Sequence, residues 1–189
     1  DERRREERQP LWRAVAEAPT ESLEAFLNMI RSGPAFQRSK VLQGRTLGLI
    51  GLGGIGSEMA RIATAFGMHV IAWNRSGVPA GVPAEAATLD DVLARADAVS
   101  LHLALTPETS GLIDAARLAR MKPGALLINT ARGALIDEGA LITALRSGQL
   151  ARAALDVFDT EPLPPDHPLT KLENVTLTAH AGWKSRAAS

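Results

Sequence analysis

Three glycines, Gly51, Gly53 and Gly56, stand in the spacing G-x-G-x-x-G between a short apolar run, TLGLI from residue 46, and a stretch of helical periodicity from Ile55 to Ala65. Each glycine of such a turn answers a separate demand. The first permits a tight turn, the second lets the backbone approach a pyrophosphate, and the third lets the helix pack close to the strand. The helix start then offers free N–H groups and a positive dipole end to phosphate oxygens. A ligand-free glycine turn has the same spacing, but the strand before it and the helix after it favour a bound dinucleotide.

The remainder of the chain repeats that alternation. HVIAW (His69 to Trp73), AVSLHL, ALLIN, AALDV and NVTLT read as strands, and LDDVLARA, the stretch near Ala115 to Met121, and EGALITALRSG read as helices, the last ending at Gly148. Thr88, Asp114 and Asp137 precede apolar-periodic stretches and mark helix starts. Strands that are continuously apolar, with helices between them, predict a Rossmann-type α/β fold: a doubly wound parallel sheet in three α/β/α layers. Ahead of it, Leu23, Phe26, Leu27 and Ile30 predict an amphipathic helix over Thr20 to Ile30, closed by Gly33 and Pro34. The opening DERRREERQ reads as a solvated charged segment, so the expected organisation is an extension over 1–14 and a cofactor-binding domain over 15–189.

Composition narrows the partners. Lys plus Arg and Asp plus Glu both number 21, a balance that disfavours a nucleic-acid or anionic membrane surface. No apolar run is long enough for a transmembrane helix. The absence of cysteine excludes disulfides and thiolate metal sites, no metal is expected, and nothing contradicts a cytoplasmic location.

The second strand ends Trp73-Asn74-Arg75-Ser76. An NAD site usually places a carboxylate there for the adenosine ribose 2′-hydroxyl, whereas an arginine nearby accommodates a 2′-phosphate. Asn74 occupies the acid's place. Arg75 would face a phosphate, or is a plain exposed loop residue; on balance the strand end favours NADP over NAD.

Three later segments carry reactive groups: NTARGALIDEGAL with Arg132, ALDVFDTEPLP with Asp156 and Glu161, and LTAHAGW with His180. A guanidinium binds a carboxylate through paired hydrogen bonds. A histidine transfers a proton to a carbonyl oxygen, and a neighbouring carboxylate orients its ring. Spacing alone does not bring the three together. His69 and His167 read as surface residues, and His102 as structural.

The order GLGGIG, HLALTPETSGLI, INTARGALIDE, ALDVFDTEPLP and TAHAGW closely resembles the D-isomer-specific 2-hydroxyacid dehydrogenase family, from about Val15 to Trp183. The resemblance implies that Arg132 binds the substrate carboxylate, that His180 is the acid/base and that Glu161 is its partner. It also implies that Asp156 lies at the nicotinamide carboxamide, that Gly54 and Ile55 meet the pyrophosphate, and that Leu103 and Thr130 line the cofactor cleft. Glutamate at 161 argues against the formate dehydrogenase branch, which carries glutamine. Residues 16–36 resemble the helix and arm through which members pair, which implies a homodimer.

One feature departs from the family pattern, Ala181-Gly182-Trp183 where many members have a glycine pair, and the substrate domain is expected to be largely absent. The chain also begins with Asp rather than Met, as a processed or excised piece would. The expectation is a cofactor-binding domain, weakly active or inactive alone, of an oxidoreductase acting on a small 2-oxo or 2-hydroxy acid. A cofactor-sensing corepressor-like protein and a truncated, inactive dehydrogenase are the alternatives.

Overall fold

A computed structural model describes residues 42–180. The expected helix at Thr20 to Ile30, the arm at 16–36, the charged extension and Trp183 lie outside the described residues. Those described belong almost wholly to the compact unit that begins at Gly44.

The chain order is β1 (Thr46–Ile50), α1 (Gly54–Ala65), β2 (His69–Trp73), β3 (Glu85–Ala86), α2 (Leu89–Arg95), β4 (Ala98–Leu101), α3 (Ala115–Arg120), β5 (Ala125–Asn129), α4 (Glu138–Ser147), β6 (Leu150–Leu155) and β7 (Val175–Leu177). Short 3-10 turns at Gly133–Leu135 and Pro168–Lys171 precede α4 and β7. The strands form one sheet in the order β3-β2-β1-β4-β5-β6-β7, and every pairing is parallel. The chain moves outward from β1 to β3, then returns to place β4 on the other side of β1. At that reversal the loops leaving β1 and β4 part, and the crevice they leave is where open α/β sheets bind ligands.

Each face of the sheet is covered by helix. Leu47, Leu49, Val70 and Ala72 pack with Ala60 and Ala63 of α1. Ile50, Val99, Leu101, Leu127 and Leu155 pack with Val92 and Leu93 of α2, Leu118 of α3, and Leu141 and Leu145 of α4. The doubly wound, three-layer expectation is thus met. So are the three helix starts: Thr88 Oγ1 accepts from Asp91 N–H (3.1 Å), Asp114 Oδ1 from Arg117 N–H (2.8 Å) and Asp137 Oδ1 from Ala140 N–H (2.9 Å). Helix α4 ends at Gly148 in the left-handed region, φ 78°.

Boundaries differ where hydrogen bonding, not hydrophobicity, decides. Strand β6 starts at Leu150 instead of Ala153, because exposed Arg152 still pairs with Leu126 of β5. Strand β4 stops at Leu101, although His102 N–H still reaches Ile50 O at 2.8 Å. The two-residue β3 is exposed at the sheet edge and has no apolar signature.

At the edge opposite the crevice, Asp97 joins three elements. Its carboxylate accepts from Thr46 N–H (2.8 Å) at the start of β1 and from Lys122 Nζ (3.0 Å) ahead of β5. The Thr46 N–H, with Lys122 behind it, holds this carboxyl below its ordinary value of 3.8. A folded-state pKa that is depressed contributes stability above the unfolded value, lost as pH falls through the folded one. Asp97→Ala should therefore cost about 1–2 kcal/mol near neutral pH. In urea melts the difference from the parent should shrink below about pH 4.

Candidate functional site

The glycine turn lies at the crevice. Gly51 N–H bonds Trp73 O at 2.9 Å, which ties the turn to β2, and Gly51 adopts φ 98°. A Cβ on Gly56 would sit 2.2 Å from Gly51 O, so α1 starts against the turn with no room for a side chain. A Cβ on Gly53 or Gly54 would meet nothing within 4 Å, which leaves the outer side of the turn open. The first N–H to bond within α1 is that of Ser57, to Gly53 O, so those of Gly54, Ile55 and Gly56 have no carbonyl behind them in the helix. No side chain caps this N-terminus and no acidic residue stands in its first turn. The cradle therefore fits a pyrophosphate. Ile55 is 73% exposed over the mouth of the turn.

Asn74, at the end of β2, has a role the residue pattern did not show. Its Oδ1 accepts from Leu52 N–H (3.3 Å), while Nδ2 donates to Ser76 Oγ (3.0 Å) and Gly77 O (2.9 Å). It braces the glycine turn and closes the loop that carries Arg75. Arg75 is exposed. The Glu108 carboxyl is held below its ordinary range mainly by the Thr106 hydroxyl, with the positive charge of Arg75 contributing least.

Leu103 Cδ2 lies 2.9 Å from where a Gly51 Cβ would stand, so its half-buried side chain backs the turn. Beside it, His102 Nε2 lies 3.0 Å from the buried Ser100 Oγ. Burial pushes the His102 ring below its ordinary value of 6.5. Because the unfolded chain takes up this proton at higher pH than the folded one, the contribution is intact above 6.5 and is lost on acidification through the folded value. Thermal melts should therefore show the parent losing stability below that pH, with a smaller loss in His102→Asn. An identical pH dependence in the two proteins would remove His102 from this account.

Across the crevice, Arg132 follows β5 in extended conformation and is exposed. Its Nη1 donates to Ala131 O at 2.6 Å. A Cβ on the next residue, Gly133, would fall 2.2 Å from the carbonyl carbon of Phe158, so the Arg132 turn rests directly on the Phe158 backbone. Phe158 N–H in turn donates to Glu161 Oε1 (3.0 Å), and Glu161 Oε2 lies 2.7 Å from His180 Nδ1. Glu161 and His180 thus meet as a pair. The guanidinium of Arg132 does not bond to either among the described contacts. The His180 hydrogen bond, and then that of Phe158 N–H, hold the Glu161 carboxyl below its ordinary range. His180 adopts φ 48°, a left-handed conformation uncommon outside glycine.

Asp156 is buried beneath this pair, bonded by Thr178 Oγ1, and its backbone carbonyl accepts from His180 N–H at 2.9 Å. Thr130 is exposed at the end of β5, on the same edge. A cleft of about 590 Å³ opens beside Glu161 and His180, walled by Phe158, Pro162, Leu163 and Leu177.

One histidine reads differently in the fold. His167, expected at the surface, is only 19% exposed at its side chain. Its Nδ1 accepts from Leu169 N–H (3.3 Å) and its Nε2 lies 3.0 Å from Glu138 Oε1, because the ring caps the 3-10 turn before β7. His69 is exposed, as expected. Among the described residues no helix is long and apolar enough to cross a membrane.

Residues 16–182 match the family model described as D-isomer specific 2-hydroxyacid dehydrogenase, NAD binding domain. This chain belongs to that family. A glyoxylate reductase from Aeropyrum pernix is 47% identical to it over 162 residues, 83% of this chain and 48% of that protein. The NAD-complexed D-isomer specific 2-hydroxyacid dehydrogenase of Lactobacillus delbrueckii ssp. bulgaricus aligns with a TM-score of 0.71 at 39% identity, over 76% of this chain and 48% of the other. An NADPH-dependent glyoxylate/hydroxypyruvate reductase from Sinorhizobium meliloti, in complex with NADP and sulfate, aligns with a TM-score of 0.71 at 34% identity and the same two coverages. The chain spans about half the length of the Aeropyrum relative. In this dehydrogenase family, then, it corresponds to the nicotinamide-cofactor-binding domain, and its neighbours include both NAD and NADP complexes.

Proposed function

We propose that this chain, over residues 15–189, is the cofactor-binding half of a D-specific 2-hydroxyacid dehydrogenase that uses NADPH and a small 2-oxo acid. The observation that carries this reading is the Glu161–His180 pair on the same sheet edge as the glycine turn. Gly51, Gly53, Gly54, Ile55 and Gly56 receive the pyrophosphate, and Leu103, Thr130 and Asp156 line the cleft toward the nicotinamide. When bound, the reduced cofactor supplies a hydride to the carbonyl carbon of the acid.

The protein residues do the rest. Arg132, exposed at the rim, binds the substrate carboxylate with paired N–H donors. Glu161, kept ionised and anchored by Phe158 N–H, accepts a hydrogen bond from His180 Nδ1–H and fixes the ring orientation. The Nε2 proton then faces the cleft, ready for the carbonyl oxygen as it gains negative charge. The curated relatives include reductases and dehydrogenases such as the Aeropyrum glyoxylate reductase, which supports this reading over a cofactor-sensing one and makes glyoxylate the first substrate to test.

NADPH is favoured by the end of β2. Asn74 spends its amide on Leu52, Ser76 and Gly77 and presents no carboxylate to repel a 2′-phosphate, while Arg75 stands exposed beside it. Titrations followed by nicotinamide fluorescence should show NADPH binding at least about tenfold more tightly than NADH, the scale of one charge-assisted contact. Arg75→Ala should erase that difference. Tighter binding of NADH by the parent would overturn the cofactor assignment. The reading extends to a homodimer in the cytoplasm, supported by the resemblance of residues 16–36 to a pairing arm; light scattering that gives a monomeric mass would count against the dimer.

A further inference from the structure

Asn129 is the last residue of β5 and is 1% exposed. Every polar group it offers to this edge is used. Its backbone carbonyl accepts from Asp156 N–H (3.0 Å), its Oδ1 from Ala131 N–H (3.0 Å), and its Nδ2 donates to Arg132 O (2.8 Å). Leu135 N–H also reaches Arg132 O, at 3.3 Å.

These bonds close a ring. From Asn129 one path runs through the Arg132 carbonyl to Gly133, which rests on the Phe158 carbonyl; Phe158 N–H holds Glu161, and Glu161 holds His180. The other path runs through Asp156, whose carbonyl takes His180 N–H. The two routes from Asn129 therefore end on the same histidine, one through its side chain and one through its backbone. We propose that Asn129 is the positioning residue that sets the Arg132 turn in register with the His180 segment, an inference that rests on the functional reading above.

Chemistry explains why asparagine stands here. The site asks for one acceptor, toward Ala131 N–H, and one donor, toward Arg132 O, on a single short side chain. An ionised aspartate supplies the acceptor but sets a second carboxylate oxygen against the Arg132 carbonyl. Burial leaves no water to relieve the mismatch. A protonated carboxyl regains the donor, so Asn129→Asp makes the geometry depend on pH, and burial raises the pH at which this happens.

The test uses the NADPH-loaded chain and oxamate, an unreducible analogue of a 2-oxo acid, with binding read by nicotinamide fluorescence. Asn129→Asp should bind oxamate at least about tenfold more weakly than the parent at pH 8, with NADPH affinity within about twofold. The gap should narrow toward pH 5.5 as the introduced carboxyl takes up a proton. Asn129→Ser, whose hydroxyl both donates and accepts but from one atom on a shorter side chain, should fall between the parent and Asn129→Asp, and it gives the answer if Asn129→Asp does not fold. Parent-like oxamate affinity in a folded Asn129 variant, while Arg132→Gln loses it, overturns this inference alone. So does a deficit in Asn129→Asp that stays constant with pH. If the loaded parent chain takes up no oxamate, the functional reading falls and the inference falls with it.

Discussion

Gly56→Ala should abolish useful cofactor binding. The added methyl would stand 2.2 Å from Gly51 O, and what it meets is backbone that cannot swing aside. Either α1 moves off the turn or Gly51 leaves its left-handed conformation. Both movements pull the N–H groups of Gly54, Ile55 and Gly56 away from the pyrophosphate position. Losing two such charge-assisted bonds, at about 1.5 kcal/mol or more each, weakens NADPH binding by at least about a hundredfold. The overpacking itself costs about 1–3 kcal/mol, so the thermal midpoint should also fall. Gly53→Ala is the control: its methyl meets nothing within 4 Å, so the fold should keep its stability while a bound pyrophosphate is crowded. Equal cofactor affinity in the parent and in Gly56→Ala would show that the turn is not the phosphate cradle.

The second large effect concerns Arg132. Its side chain is exposed, and its bond to Ala131 O leaves further guanidinium donors for a ligand. Arg132→Gln should therefore leave folding and NADPH affinity nearly unchanged. It should remove the paired contact to a 2-oxo acid's carboxylate, worth about 3 kcal/mol, so that oxamate binds the loaded chain roughly a hundredfold more weakly. A lysine keeps the charge but not the planar fork, and Arg132→Lys should recover only part of the loss. Oxamate binding that survives in Arg132→Gln would move the carboxylate site elsewhere.

Much of the architecture was legible because its signals are local. The glycine spacing specifies a strand–turn–helix junction, and Thr88, Asp114 and Asp137 cap the helices they announce. Continuous apolar strands with helices between them admit few alternatives to a parallel sheet covered on both faces. What pattern could not convey is contact between distant segments. Glu161 and His180 are 19 residues apart and meet only because β6 and β7 are neighbours. Asn129 read as an ordinary strand end; its side-chain bonds to Ala131 and Arg132 are local, but the bond from its carbonyl toward the His180 segment depends on where β6 places Asp156. His167 read as a surface residue because a cap formed by a ring nitrogen has no periodicity. Asn74 read as the residue that takes the acid's place at the end of β2, and its bracing of Leu52 needs β1 and β2 side by side.

The central claim is that the turn at Gly51 and the groups at Arg132, Glu161 and His180 serve one reaction. The most direct measurement is an ordered titration of the chain: NADPH alone, oxamate alone, and oxamate after NADPH, followed by nicotinamide fluorescence. NADPH should bind saturably, and oxamate uptake should be far stronger on the loaded chain and depend on Arg132. Saturable oxamate binding that is indifferent to cofactor, or no saturable binding of NADPH or NADH, would contradict it.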